Sequence, residues 1–282
     1  MTTGRQKILM CPPDYFSVDY VINPWMAGNE GKLDPGLART EWQTLHDRLA
    51  QVADIELFEP QPDLPDLVFT ANAGFISGAV VVPSHFMPPE RRPEEPYLKQ
   101  WFAAHGYELH VLPEDIGFEG AGDCLIDRAG PWLWTGYGFR TEIEAHAYLA
   151  RWFDREVVSI RLTDSRFYHI DTCLCPLAGG YLLYYPAAFD ADSIRAIEKR
   201  IPPDKRVCVS VEDAANFACN AVNIDQHIFS NGFSEPLQQR LGALGFELHK
   251  VPLSEFLKAG GSAKCLTLKL TEREVVPEVA RP

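Results

Sequence analysis

No apolar run in this sequence of 282 residues is long enough to cross a bilayer. The opening MTTGRQKILMCPPDYF lacks the extended apolar core and small-residue cleavage site of a secretory signal. Positive charge is in deficit, with 26 Lys and Arg against 39 Asp and Glu and a net charge of −13. Such a chain repels phosphate backbones, so nucleic acid is not expected as a partner, and neither is a membrane. A cationic small substrate would be drawn in. Neither standard glycine-rich phosphate loop occurs. Seven cysteines make an odd number for a disulfide framework, and without an export signal they read as reduced thiols in a cytoplasm. Cys173 and Cys175 share one face of an expected strand, but no second ligand cluster at regular spacing accompanies them. They read as packing residues, as do Cys11, Cys124, Cys208 and Cys219. No metal and no organic cofactor is expected.

What is present is repetition. Gly106-Tyr107-Glu108-Leu109-His110-Val111-Leu112-Pro113 is nearly copied by Gly245-Phe246-Glu247-Leu248-His249-Lys250-Val251-Pro252. Each copy follows an amphipathic helical pattern. One runs from Pro96 to His105 with Leu98, Trp101 and Phe102 on a face, the other from Pro236 to Leu244 with Leu237, Leu241 and Leu244. The glycines stand where each helix stops. Three more units repeat the order with less identity. Trp42, Leu45 and Leu49 lead to a strand over Asp54–Phe58; Ile143, Ala147 and Trp152 lead to Val157–Ile160; Ile194 and Ile197 lead to Val207–Val211. Five helix-strand units at roughly 45–55 residue spacing suit a closed array. With no linker or composition break, one α/β domain over residues 1–282 is expected, a five-bladed pseudosymmetric propeller of ββαβ-type units.

After each strand comes a short polar or glycine-bearing loop: Asp66–Asn72, Phe118–Asp123, Tyr168–Asp171, Asn216–Asn220 and Gly260–Cys265. Five units closing around an axis would bring the five loops to one mouth. Cys265 would then be a nucleophile, His169 its proton carrier, and Glu119, Asp66 and Asp171 carboxylates around them. Acids around a thiol normally raise its pKa and blunt it. The set makes sense if the substrate is itself a cation, such as a guanidinium whose planar fork suits carboxylates. Taken singly, Cys265 would be inert packing, His169 a core histidine, Glu119 a surface turn and Asp66 a turn cap. Their equivalent places in the repeat argue for a shared site. Asn72, Asn216, Asn220 and Asn223 all suit turns, and only Asn72 is kept as a site candidate.

The loops Asp66–Asn72 and Phe118–Asp123, His169-Ile170-Asp171 and the terminal Cys265 together resemble the guanidine-modifying enzymes: arginine deiminases, amidinotransferases and dimethylarginine dimethylaminohydrolases. The resemblance covers essentially the whole chain and implies a five-bladed α/β propeller. It implies that Cys265 attacks the guanidinium carbon, that His169 protonates departing ammonia and then activates water, and that Glu119 and Asp171 hold the guanidinium. In deiminases the loop Phe69–Asn72 would end in Asp. Asn72 is more similar to the arginine dihydrolases, which convert arginine to ornithine with release of two ammonia and carbon dioxide. The segments Met10–Tyr15 and Val21–Met26 resemble the same subgroup, in which Asn23 would help hold substrate. A physical reason is that an amide can both donate and accept, and so can retain a neutral urea that an acceptor-only carboxylate would release.

An amino-acid carboxylate needs a cation, and Arg91 (or Arg92) and Arg140 are the candidates; Asp123 is a candidate for the α-amine. The rivals are a single deimination giving citrulline from arginine or a methylated arginine, an amidinotransferase, and a silent arginine-binding protein. The chain runs only briefly past Cys265, through Thr271-Glu272-Arg273-Glu274, so no ornithine-processing domain is expected. Homo-oligomerisation stays open.

Overall fold

The computed structural model describes residues 5–272, so Arg273 and Glu274 lie outside the described residues. The chain starts with β1 (Gln6–Met10) and a long loop, and then α1 (Pro35–Leu49). Asp34 caps α1 by accepting from the amides of Gly36 and Leu37 at 2.9 and 3.0 Å. Pro35 occupies a first-turn position where a missing N–H leaves nothing unsatisfied. Trp42, Leu45 and Leu49 are buried as their spacing predicts. The helix returns the chain to β2 (Ala53–Leu57), parallel to β1.

Four further units repeat this return after an antiparallel hairpin. The second blade has β3 (Gly74–Ser77), β4 (Val80–Pro83), α2 (Glu95–Ala104) and β5 (Glu108–Leu109). The third has β6 (Cys124–Ile126), β7 (Leu133–Tyr137), α3 (Glu144–Phe153) and β8 (Val157–Arg161). The fourth has β9 (Leu174–Leu177), β10 (Tyr181–Tyr184), α4 (Ala191–Arg200) and β11 (Arg206–Cys208). A short α5 (Val211–Ala215) leads into the fifth blade, with β12 (Val222–Ile224), β13 (His227–Ser230), α6 (Glu235–Ala243) and β14 (Glu247–Lys250). In each blade the middle strand pairs antiparallel to the strand before it and parallel to the strand after the helix. This is the expected ββαβ unit.

The first blade is completed by the end of the chain. β15 (Leu268–Lys269) pairs antiparallel with β1, Leu9 opposite Leu268. The first and last described strands therefore share one sheet, and the five three-stranded sheets are the blades of the propeller. Gly106 and Gly245 have φ of +80° and +89°, the left-handed conformation that ends α2 and α6 and lets the copied strands begin.

Two expectations are corrected. Ile143 and Ala147 do not form the buried stripe of α3. The helix begins at Glu144 and buries Ala145, His146 and Leu149, leaving Ile143 exposed just ahead of it. The strand expected over Val207–Val211 ends at Cys208. The Ser210 hydroxyl accepts from the Asp213 amide at 3.0 Å and starts α5, so Val211 opens a helix with its side chain in solvent.

Tight turns precede the first strands of the second, third and fourth blades, over Thr70–Ala73, Gly120–Gly122 and Ile170–Thr172. Hydrogen bonds join the turns around the axis. The Ala71 amide donates to the Cys265 carbonyl at 3.1 Å, Asn72 Nδ2 to the Glu119 carbonyl at 3.2 Å, and Asn220 Nδ2 to the Asp171 carbonyl at 3.1 Å.

Candidate active site

The first of these turns, through Asn72, borders a partly open pocket beside the Cys265 loop. Cys265, Asn72, Asp66, Asn23, Arg91 and Arg140 all border it. A second pocket, walled mainly by apolar groups, is bordered by Asp171, which like Glu119 and His169 does not border the first; it touches neither Arg91, Arg140 nor the Cys265 side chain.

Cys265 is buried, with Asp171 Oδ2 at 3.7 Å from its sulfur and Asn220 Nδ2 donating to it at 3.1 Å. Burial raises the thiol pKa, and the Asp171 charge raises it further, against the Ser262 backbone, Asn220 and Lys264. The resting group is a thiol. Asp171 is itself pushed up to about 7 by burial, opposed by Lys264, the thiol and Asn220. A cation entering between this acid and the sulfur would favour ionisation of both.

Glu119 is fully buried and its Oε2 takes two partners, Arg140 Nη1 at 2.9 Å and His169 Nε2 at 2.7 Å. Burial would raise its pKa, but Arg140 and then His169 outweigh this and hold it at about 2. His169 is lowered to about 4, chiefly by burial, with Glu119 opposing. At neutral pH the pair is therefore a carboxylate and a neutral imidazole. Nε2–H donates to Glu119, and Nδ1 keeps a lone pair with no hydrogen-bond partner among the described residues. That nitrogen can accept a proton and return it. Gly122 makes the packing possible: a Cβ there would lie 2.3 Å from Asn72 Nδ2 and 3.3 Å from the His169 ring.

Arg91 is buried and clamped by Glu94, with Nε and Nη2 each 2.8 Å from a carboxylate oxygen. Its Nη1 donates to Asn72 Oδ1 at 2.9 Å and its Nη2 to the Asp66 carbonyl at 3.1 Å. Arg140 donates to the Ile22 carbonyl at 2.7 Å and lies 4.7 Å from the Tyr168 ring centroid. The two guanidiniums border the cavity as fixed cations able to meet a carboxylate. Arg92 does not border it; its Nε donates to the Phe86 carbonyl. Asp66 is no turn cap. Its Oδ2 accepts from Tyr20 at 2.8 Å, and burial raises its pKa against the pull of Arg91 and Tyr20. Asn23 Nδ2 donates to the Ala259 carbonyl at 3.0 Å, and its Oδ1 accepts from the Trp25 amide at 2.9 Å, which ties the entry loop to the Cys265 loop.

Asp123, like Glu119, His169 and Asp171, does not itself border the pocket. It is fully buried, its Oδ1 accepts from the Ile170 amide at 3.0 Å, and burial pushes its pKa well up, so it braces the His169 loop. Asn220, set aside as a turn residue, is part of the site. Its Oδ1 accepts from the Lys264 and Cys265 amides, both at 3.1 Å, while its Nδ2 serves the sulfur and Asp171. The sequence held a signal for it. Asn220 stands two residues before β12, as Asn72 stands two before β3. Asn220→Ala is expected to strand the Cys265 amide beside the thiol, at about 1–3 kcal/mol, while the Lys264 amide keeps the residue-220 carbonyl at 3.3 Å. The melting temperature should fall and turnover drop by about tenfold or more; a variant matching the parent in both would remove Asn220 from the site.

Asp171 supplies a test by pH. Its folded pKa of about 7 exceeds the unfolded value of about 4. Between those values the folded state binds the extra proton, so the buried charge destabilises the fold above pH 7 and that penalty fades as pH falls. Asp171→Asn should raise the melting temperature at pH 8, by a margin that shrinks toward pH 5. A margin unchanged between the two would mean that the acid is not held as described.

Residues 22–272 match the family described as N,N dimethylarginine dimethylhydrolase, eukaryotic. The bifunctional arginine dihydrolase/ornithine cyclodeaminase ArgZ of Synechocystis is 56% identical over 273 residues, 97% of this chain and 39% of that protein. The chain thus spans well under half the length of that relative. The N(G),N(G)-dimethylarginine dimethylaminohydrolase of Mycobacterium tuberculosis is 38% identical over 95% of this chain and 87% of its own. Among solved structures, the N-terminal domain of ArgZ, a cysteine-to-serine mutant bound to substrate, superposes with a TM-score of 0.94 at 56% identity, over 95% of this chain and 98% of that one. On sequence and fold together, the chain belongs to the dimethylarginine dimethylaminohydrolase family of guanidine-modifying enzymes.

Proposed function

We propose that this chain hydrolyses free arginine to ornithine, two ammonia and carbon dioxide through a covalent bond to Cys265, within a single propeller domain. The reading rests on one observation above others. The chain is 56% identical, over nearly the whole of both chains, to a substrate-bound domain described as an arginine dihydrolase, and its own buried thiol borders a cavity with two fixed arginines.

The guanidinium lies beside Asp171, and Arg91 and Arg140 face the α-carboxylate. Cys265 Sγ attacks the guanidinium carbon while its proton passes to His169 Nδ1. His169 returns that proton to the departing nitrogen, and ammonia leaves. Water, deprotonated by His169, attacks the same carbon and the thiolate departs, giving a urea. A second round on the urea releases a second ammonia and leaves a thiocarbamate. Its hydrolysis gives a carbamate that loses carbon dioxide. Two waters are consumed in all. Glu119 positions His169 and keeps Nε2–H pointed away from substrate. Asn72 holds Arg91 and the Glu119 loop.

Hydrolysis of a methylated arginine is the second reading, favoured by the description of the matching family. Incubation with arginine and with dimethylarginine separates the two. Ornithine with two ammonia per arginine supports the proposal. Citrulline with one ammonia, or dimethylamine released from the methylated substrate alone, overturns it.

A further inference from the structure

The copied segments Gly106–Pro113 and Gly245–Pro252 each carry Glu-x-His on a strand, and the active site uses neither copy. In the second blade the pair stands alone: Glu108 Oε1 meets His110 Nε2 at 2.7 Å, and the residue opposite Glu108 on the neighbouring strand is Val80. In the fifth blade the residue opposite Glu247 is His227. We propose that His227, Glu247 and His249 form a binding site for one divalent transition-metal ion of the zinc class, remote from the catalytic cavity.

The geometry carries the proposal. His227 Nδ1 and His249 Nε2 face each other at 3.0 Å; Glu247 Oε2 lies 3.5 Å from the first and Glu247 Oε1 3.5 Å from the second, and one ligand atom from each of the three residues falls within 4.8 Å of the others. Ligands bonded to one ion at about 2.0–2.2 Å stand about 3.0–3.5 Å apart when their bond angles are near 90–115°. The two nitrogens have that spacing already, and each has one oxygen of the Glu247 carboxylate within it, so a small turn of the exposed carboxylate completes the set. Two imidazoles and a carboxylate are also a set that zinc-class ions accept, with remaining positions open to water. The rings are held before any ion arrives. His249 stacks on buried Phe229, centroids 4.3 Å apart at 12°, and both histidines are mostly covered while Glu247 is exposed. Without metal, one facing nitrogen donates its hydrogen to the other. Metal binding requires that this hydrogen move to the far nitrogen of its ring, which leaves two lone pairs on the ion. The Gln226 amide nitrogen, 3.2 Å from His227 Nε2, donates to it without metal, and the amide must turn its oxygen toward that nitrogen to accept the relocated hydrogen. The positive charge of Arg48 on α1 bears on His249 and works against the ion, so affinity must come from the three ligands.

The sequence showed no second ligand cluster because the third ligand arrives by strand pairing, twenty residues before the other two. The second blade is a control within the same molecule, with Glu-x-His but Val80 for His227.

The test is zinc titration calorimetry on chelator-stripped full chain carrying Cys265→Ser and Cys208→Ser, which removes the site thiol and the exposed one. One equivalent is expected. His227→Val, copying the second blade, and His249→Ala should each weaken binding at least about tenfold, while His110→Ala leaves it unchanged. Metal-free melting curves report whether each variant is folded. Absence of saturable binding, or His227→Val and His249→Ala folded and binding as tightly as the parent, overturns the site.

Discussion

Cys265→Ser is expected to lower arginine turnover by at least about four orders of magnitude while leaving arginine binding within a few fold. Burial and Asp171 already hold the thiol above its ordinary pKa. A serine hydroxyl starts several units higher, so the charge of a bound guanidinium cannot ionise it. Binding should survive because the groups proposed to hold arginine, Arg91, Arg140, Asp171 and Asn72, keep their places when one sulfur becomes oxygen. Ornithine and ammonia release measures the first part and calorimetry with arginine the second. Turnover above about a hundredth of the parent would place the nucleophile elsewhere. Loss of binding together with turnover would mean that the sulfur holds the cavity in shape rather than attacking the substrate.

The same physics explains why such acids surround a nucleophilic sulfur. A site built to keep a thiolate at rest would place cations next to it. Here the nearest charge is Asp171, and the cations Arg91 and Arg140 are neutralised by Glu94 and Glu119. The arrangement keeps the empty site unreactive and makes activation depend on the substrate's own charge. Alkylation of Cys265 in the free protein should accordingly be slow at neutral pH.

The repeat was legible in the sequence because local chemistry writes it. Gly106 and Gly245 must stop helices, and the apolar stripes of α1, α2 and α6 face their sheets as their spacing predicts. Cys265, Asn72, Asp66 and Asn23 were singled out through loop position and resemblance, Arg91 and Arg140 through the need of an amino-acid carboxylate for a cation, and all six border one pocket. What stayed hidden depends on tertiary contacts. The pairing of β1 with β15 joins residues some 260 positions apart, and no local pattern announces it. Asn220 looked like any turn asparagine because its partners, the Cys265 and Lys264 amides, arrive from another blade. The α3 stripe failed because packing buries the face of Ala145, His146 and Leu149 and leaves Ile143 in solvent ahead of the helix.

Asn72→Asp should divert the product from ornithine toward citrulline. The first expectation was that the Asn72 amide retains the urea by donating to it. The structure adds a second cause. Asn72 Oδ1 accepts from Arg91, and its Nδ2 donates to the Glu119 carbonyl 3.2 Å away. A carboxylate keeps the Arg91 contact and sets an oxygen against that carbonyl, with no hydrogen between them. The repulsion falls on the loop carrying Glu119, whose carboxylate orients His169. The added charge also favours the cationic guanidinium over the neutral urea, so the first round suffers less than the second. Citrulline should rise from a trace to the main product, with one ammonia per arginine instead of two. Asn72→Ser, which keeps a small donor and adds no charge, should retain more ornithine than Asn72→Asp. If Asn72→Asp yields ornithine in the parent's proportion, retention of the urea does not run through residue 72, and the contacts of Asp66 and Arg140 must account for it.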